Sequence, residues 1–341
     1  MSVFPVDFLI TPHTWILPDE YDQFNASREL DSDDTLYILK PSASSCGRGI
    51  KIIEKKTKIL KKEGIIASHY IMNPHLISGY KYDLRVYVLA TSFDPLKVYV
   101  FNDGLVRFAT EKYTTDPKEL KKRYIHLTNF SVNKKADNYV VNKGAANPAG
   151  DENGDEEFCS KWDFKQLRKH FDDNGINYDY CWAQIKDIIV KTLIAAEPQI
   201  VASMDNVPTR KGAPFELYGF DIMLDNKLKP WLIEVNVLPS LSSSSPFDKI
   251  IKTMLVCDVL TLVGIRGYDK IKVHGNPNSD DIDEEHTFKN ISMVRALEGS
   301  EKLNKSELNM ILEHEEEFSR KGQFSRIFPL AANVDYYEKF F

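Results

Sequence analysis

Short runs rich in β-branched and aromatic residues punctuate the first third of the chain. Leu36 to Leu39, Ile50 to Ile53, Ile65 to Ile71, Leu84 to Thr91 and Val98 to Phe101 have strand length and are bounded by Gly, Pro and Asp, which predicts strands. The last two face each other across Ser92, Phe93, Asp94 and Pro95, residues with turn chemistry, so a hairpin is expected. A further strand contains Thr14 to Leu17. Farther along, Ile185, Ile188, Ile189, Leu193 and Ala196 recur at helical spacing and predict an amphipathic helix over Trp182 to Ile200, with Pro198 marking its end. Phe247 to Val263 predicts a second helix, and Ser306 to Arg320 a highly charged one. Asn142 to Glu157 has almost no large apolar residue and many Gly, Asn and acidic residues; such a segment cannot bury a core and reads as a mobile inserted loop.

Composition narrows the class. The 341 residues are 43% hydrophobic and 28% charged, which excludes a disordered or collagenous chain. No run of about 18 apolar residues occurs, and Met1 to Phe8 lacks the basic start and apolar stretch of a signal peptide. The expectation is an intracellular protein with no membrane partner. The cysteines, Cys46, Cys159, Cys181 and Cys257, show no CxxC spacing, so neither a disulfide framework nor a zinc site is expected. A formal net charge of -6 speaks against nucleic acid as the partner. That total conceals residues 40 to 135, where 19 basic side chains oppose 8 acidic ones. A block with that excess suits phosphates or an acidic peptide; for Lys55, Lys56, Lys58, Lys61 and Lys62 the simpler reading is a solvated Lys-rich helix.

Three segments carry candidate chemistry. In LYILKPSASSCGRGI, Leu36 to Ile50, a strand ends in Lys40 and leads through a Ser/Gly-rich loop to a second strand. Such a loop lets backbone N–H groups approach phosphate, although an ordinary hairpin reads the same way, and the Lys precedes the glycines, unlike a Walker A loop. In GFDIMLDNKLKPWLIEVNVLPSL, Glu234 and Asn236 project from one strand face, and pairing across the turn Asp225 to Lys229 can bring Asp221 beside them. Two carboxylates and an amide oxygen make a hard-oxygen site suited to Mg²⁺ that shares its shell with substrate phosphates; an exposed polar face is the alternative. Lys81, Asp83 and Arg85 alternate on one strand face, with Arg107 on a neighbour. Mixed charges there suit a nucleotide, or form a cross-strand ion-pair ladder.

Taken in order, KPSASSCGRGI, KYDLRVYVL, GLVRFAT, HLTNFSVNK, ELYGFDIMLD and LKPWLIEVNVLPSLSSSSP resemble the tubulin-tyrosine-ligase-like family in its polyglutamylase branch. The blocks run from about Ile16 to Ile265, and EEFSRKGQFSRIFP near the end resembles a segment following the catalytic domain of some glutamylases. The resemblance implies an α/β ATP-grasp fold of mixed and antiparallel sheets, with the nucleotide between central and C-terminal lobes. It places the catalytic domain over residues 1 to 270, with the N-terminal subdomain largely missing, and a charged helical extension over 271 to 341.

The same resemblance implies roles. Lys40 would contact ATP phosphates under the loop of Cys46, Gly47, Arg48 and Gly49. Ser68, His69, Tyr70 and Ile71 would frame adenine through their backbone. Lys81 and Asp83 would serve ribose and phosphate, with Thr128 and Asn129 near phosphates and metal, while Asp221, Glu234 and Asn236 would hold Mg²⁺. Arg85 and Arg107 would stabilise the acyl phosphate and incoming amino acid, Lys161 with Ser131 would receive free L-glutamate, and His126 would face the acceptor peptide or serve as a satisfied structural histidine. The family generally has Gln at Ser68, Tyr at Phe130, and Arg or Gln at Cys46. The implied activity is ATP- and Mg²⁺-dependent addition of glutamate, through an acyl phosphate and an isopeptide bond, to Glu side chains of tubulin tails or other acidic proteins. A monomer acting in the cytoplasm at the cytoskeleton, cilium or basal body is expected. A catalytically weak tubulin-binding relative, or a ligase for glycine or tyrosine, stays open.

Overall fold

The computed structural model describes residues 4–44, 47–59, 61, 63–142, 159–204, 215–264 and 305–341. Cys46, the candidate inserted loop beyond Asn142, and the first part of the C-terminal extension lie outside the described residues. Two sheets organise the rest. The smaller has the order β1 (Thr14–Leu17), β4 (Ile65–His69), β2 (Leu36–Pro41) and β3 (Lys51–Glu54), with every pairing antiparallel. Helix α1 (Tyr21–Leu30) inserts Phe24 against Trp15 and Tyr37 on its inner face.

The larger sheet runs β10 (Pro230–Asn236), β9 (Glu216–Leu224), β6 (Tyr80–Phe93), β7 (Leu96–Phe108) and β11 (Phe324–Phe328). Two short strands extend it, β5 (Leu76–Ile77) beside β6 and β8 (Lys161–Trp162) beside β7, and two single-turn helices, α2 (Arg123–His126) and α3 (Phe130–Asn133), flank Thr128 and Asn129. β6 and β7 form the expected hairpin, each longer than its apolar run because charged residues continue both strands.

The period of two along β6 explains how a strand buried over nearly its whole length carries function. Tyr82, Leu84, Val86, Val88 and Ala90 face one way and pack with α4 (Phe164–Asp173) and α5 (Tyr178–Met204). On the opposite face, Tyr87 and Leu89 pack with Phe247, Ile251 and Leu255 of α6 (Pro246–Val263). That same face, one turn of the pleat earlier, consists of Lys81, Asp83 and Arg85. Where helix α6 stops covering the sheet, the charged residues begin, and the cleft opens between the two sheets.

Three expectations are corrected. Helix α5 runs through Pro198 to Met204: Ile200, Val201 and Met204 pack on the same core, which outweighs the one backbone hydrogen bond that a helix-interior proline removes. Lys55 to Ile59 are turn and coil, not helix, and Lys55 and Lys56 pair with Asp33; Lys62 lies outside the described residues. The C-terminal extension is not purely helical. Its helix α7 (Lys305–Ser319) is followed by β11, which pairs antiparallel with β7 and buries Phe324, Ile327 and Phe328, and then by a short α8 (Val334–Glu338). Lys81, Asp83, Arg85 and Arg107 are buried, and Arg107 with Asp83 and Arg85 with Asp221 form cross-strand ion pairs. No helix among the described residues is long and apolar enough to cross a membrane.

Candidate active site

The cleft between the sheets encloses about 640 Å³. The small sheet contributes Ile38, Lys40, Ile66 and Ser68, and the large sheet Lys81, Asp83, Asp221, Met223 and Glu234; Gly47 and Arg48 close one side, and Thr128 and Asn129 another. Lys40 reaches across to the opposite sheet, its Nζ donating to the Ile233 carbonyl at 3.4 Å. Burial pushes this ammonium down, while Glu234 and Asp221 favour its charge.

The loop after Lys40 depends on its glycines. Gly47 and Gly49 have φ of +68° and +75°, the left-handed region that L side chains avoid. A Cβ on Gly49 would lie 2.7 Å from Cγ of Pro41. Arg123 ties the loop down by donating to the Gly47 carbonyl at 2.7 Å. Gly49→Ala is expected to cost about 1–2 kcal/mol from backbone conformation alone, read as a lower urea midpoint; an unchanged midpoint would show that the loop readily relaxes.

Register then sets the charged centre. Asp83 of β6 stands opposite Arg107 of β7, Arg85 opposite Asp221 of β9, and Asp221 opposite Glu234 of β10. A bulge between Leu232 and Glu234 re-aims the last pair. Arg107 donates to both oxygens of Asp83, at 2.8 and 2.5 Å, and to Asp221 at 2.9 Å. Arg85 makes a two-pronged contact with Asp221 at 2.6 and 3.2 Å. Thr128 donates its hydroxyl to Asp83 at 2.7 Å. Burial opposes the charge of Asp221, yet Arg107 and Arg85 hold its carboxyl well below the usual range. Glu234 moves the other way: restricted hydration and then the Asp221 charge push its carboxyl up. Asn236 donates its amide to Gly219 O at 3.1 Å and Glu234 at 3.3 Å, leaving Oδ1 as the acceptor that faces outward.

The donor set fits a hard divalent cation. It offers carboxylate and amide oxygens only, and burial, then the Asp221 charge beside Glu234, push that carboxyl up, a tension that a cation between them would relieve. No group of three or more His, Cys, Asp and Glu suited to a metal occurs among the described residues, so substrate oxygens would have to complete the shell.

Other sequence-nominated residues distribute around this centre. Lys161 lies opposite Arg107; its Nζ bonds Asp248 at 2.8 and 3.0 Å and stands 3.8 Å from the centroid of the Phe130 ring. Ser131 lines a second cavity of about 610 Å³ whose wall carries Arg48, Lys121, Lys122, Arg123, Lys134 and Lys135. Arg48 also lines the first cavity, so the two adjoin. His69 bonds Asp31 at 2.9 Å, and Ser68 shares a hydrogen bond of 2.9 Å with Thr14. His126 is buried, with Nδ1 bonded to Tyr70 and Nε2 to the Glu119 carbonyl. Both ring nitrogens are used, as a satisfied structural histidine requires, and the residue also lines the main cleft.

A profile described as the tubulin-tyrosine ligase family matches residues 1–271. The chain belongs to this family. Human tubulin monoglutamylase TTLL4 is 37% identical over 95% of the chain, mouse tubulin polyglutamylase TTLL5 35% over 97%, and mouse tubulin polyglutamylase TTLL6 37% over all of it. The chain spans 28%, 26% and 40% of those relatives' own lengths. The two antiparallel sheets around a cleft are the ATP-grasp-like fold of the family.

Within this tubulin-tyrosine ligase domain, several residues of the site escaped sequence reasoning. Asp248 is fully buried and accepts from Lys161 and from the Ser244 hydroxyl at 2.6 Å; the run Ser-Pro-Phe-Asp at a helix start suggests only a cap. Asn133 accepts from Thr110 N and Oγ1, each at 3.0 Å, and donates to the Leu127 carbonyl, fixing the Thr128–Asn129 segment to the end of β7. Tyr70 was nominated for its backbone alone, whereas its hydroxyl also contacts Lys81. No local pattern signals these roles.

Proposed function

We propose that this domain is the catalytic part of an ATP- and Mg²⁺-dependent protein glutamylase, acting on acidic tubulin tails at the cytoskeleton. One observation carries the reading: Asp221, Glu234 and Asn236 on the large sheet face Lys40 from the small sheet across a cleft that Lys81 also lines. Cations there would meet ATP phosphates, and the oxygen donors would hold Mg²⁺, which supplies Lewis-acid stabilisation of phosphate charge when bound. The names of the relatives support glutamate as the amino acid and tubulin as the acceptor protein.

The chemistry joins a carboxylate to an amine. An oxygen of the acceptor Glu side chain bonds to the γ-phosphorus of ATP while the bond from phosphorus to the bridging oxygen breaks and ADP leaves. The amine of free glutamate then attacks the acyl carbon, the carbon–oxygen bond to phosphate breaks, and the nitrogen loses a proton. Charge builds on oxygen in both steps, next to Arg85 and Arg107, whose positions are fixed by Asp83 and Asp221. Lys161 would meet a carboxylate of the free glutamate. The adjoining basic cavity, sharing Arg48, offers an acidic tail a salt-sensitive approach to the same cleft.

Incubation with microtubules, Mg-ATP and L-glutamate, followed by mass spectrometry of the tubulin tails, tests this. Additions of glutamyl mass are expected. Glycyl or tyrosyl additions from a mixed amino-acid pool would overturn the choice of glutamate, and no addition at all would overturn the ligase reading.

A further inference from the structure

We propose that His126 and Tyr70 are positioning residues that aim the Lys81 ammonium at the nucleotide phosphates, through a directional chain of hydrogen bonds running from the Glu119 carbonyl to Lys81. The inference rests on the nucleotide reading of the cleft. Its basis is a run of contacts: Glu119 O to His126 Nε2 at 3.3 Å, His126 Nδ1 to Tyr70 OH at 3.0 Å, and Tyr70 OH to Lys81 Nζ at 2.9 Å.

Chemistry fixes the direction of each link. A carbonyl only accepts, so Nε2 carries the ring hydrogen. Burial, then the nearby Lys81 charge, pushes His126 down to about 4, so the imidazole is neutral at physiological pH and Nδ1 accepts. In this arrangement the Tyr70 hydroxyl donates to His126 and its lone pairs are left for Lys81, with Tyr113 as its other hydroxyl neighbour. Were the imidazole replaced by an apolar group, nothing would anchor the hydroxyl hydrogen, which could turn to Tyr113 or elsewhere, and the lone pairs would lose their fixed aim at Lys81.

Lys81 needs this acceptor. It is 2% exposed, and burial pushes its ammonium down to about 7, against the favourable Asp83 charge and with the unfavourable Lys40 charge. Asp83 itself is engaged by Arg107 and Thr128. Tyr70 meets the ammonium both through its oxygen and through its ring, whose centroid lies 4.4 Å from Nζ. One N–H is thereby committed to the relay, and the others remain for the cleft.

The test measures ATP affinity and melting temperature together for the full chain and for Tyr70→Phe, His126→Phe and His126→Asn. Tyr70→Phe keeps the ring and removes only the acceptor. His126→Asn keeps an acceptor near Nδ1. Losing a hydrogen bond to a charged group corresponds to about a tenfold loss of affinity or more, expected for Tyr70→Phe and His126→Phe, with His126→Asn within about threefold of the parent. Tyr70→Phe binding ATP as tightly as the parent, or His126→Asn as weakly as His126→Phe, would overturn the relay. A parent chain that binds no ATP would overturn the nucleotide reading and the relay with it.

Discussion

Glu234→Gln is expected to lower ATP-dependent glutamate incorporation at least about 100-fold, while the ligand-free protein melts at the same temperature or higher near neutral pH. The two halves have one cause. Glu234 and Asp221 stand opposite one another on paired strands, and restricted hydration with the Asp221 charge raises the Glu234 carboxyl. Such a group contributes its stability below the unfolded carboxylate range and loses it as pH rises through the folded value. At neutral pH the ionised side chain is therefore a burden on the cation-free fold. Glutamine removes that charge and keeps the shape, but it also removes an anionic oxygen from the set that would hold Mg²⁺. Raising Mg²⁺ is expected to stabilise the parent and the variant unequally, with the larger shift in the parent. Equal incorporation by both proteins would remove Glu234 from the metal-binding role; equal loss of activity and stability would reduce it to a packing residue.

That pair also shows what the sequence made legible. Glu234 and Asn236 share a face because they lie two apart in a strand, and the turn at Asp225 brings Asp221 alongside; local pattern suffices. The Lys81, Asp83 and Arg85 face follows from the same period of two. Partners separated by long stretches of chain were not legible. Asp221 is bound to Arg85, 136 positions away in sequence, and Lys161 to Asp248, 87 positions away, and the register of β6 on β9 that creates the first is not encoded in either segment alone. The strand pattern leaves Arg85 and Arg107 open to substrate or to a cross-strand ion-pair ladder, and in the structure each is engaged with buried carboxylates. Their action on a developing acyl phosphate would come from a fixed position with remaining donors, a preorganised arrangement. Pro198 misled for the opposite reason: a strong local signal yielded to apolar residues beyond it that had a core to join.

Removing everything after residue 271, where the family match ends, is expected to leave an insoluble or molten chain with no cooperative thermal transition. The boundary of the family profile is not a boundary of the fold. Strand β11 pairs with β7 along Val98 to Phe101, on the strand that carries Arg107. Its Phe324 enters the core beneath α6, while Ile327 and Phe328 enter the core on the other face. Re-exposing three such side chains forfeits about 5–9 kcal/mol, comparable to the whole stability of a typical domain, about 5–15 kcal/mol. Glu317 of α7 adds hydrogen bonds from Thr91 at 3.0 Å and Tyr99 at 2.8 Å, and Lys97 lies 3.6 Å away; without it, hydroxyls near the hairpin end lose their acceptor. The stripped β7 would present an open edge suited to pairing with another chain. Soluble yield, far-ultraviolet circular dichroism and melting of residues 1–271 beside the full chain decide the matter. A soluble truncated protein melting cooperatively within a few degrees of the parent would show that β11 is an accessory. The intermediate change Phe324→Ala leaves the strand pairing in place and opens a cavity next to Phe101, 5.2 Å away between ring centroids. It is expected to cost about 3–5 kcal/mol and to lower activity only through the folded fraction, so that activity per folded molecule stays unchanged while the melting temperature falls.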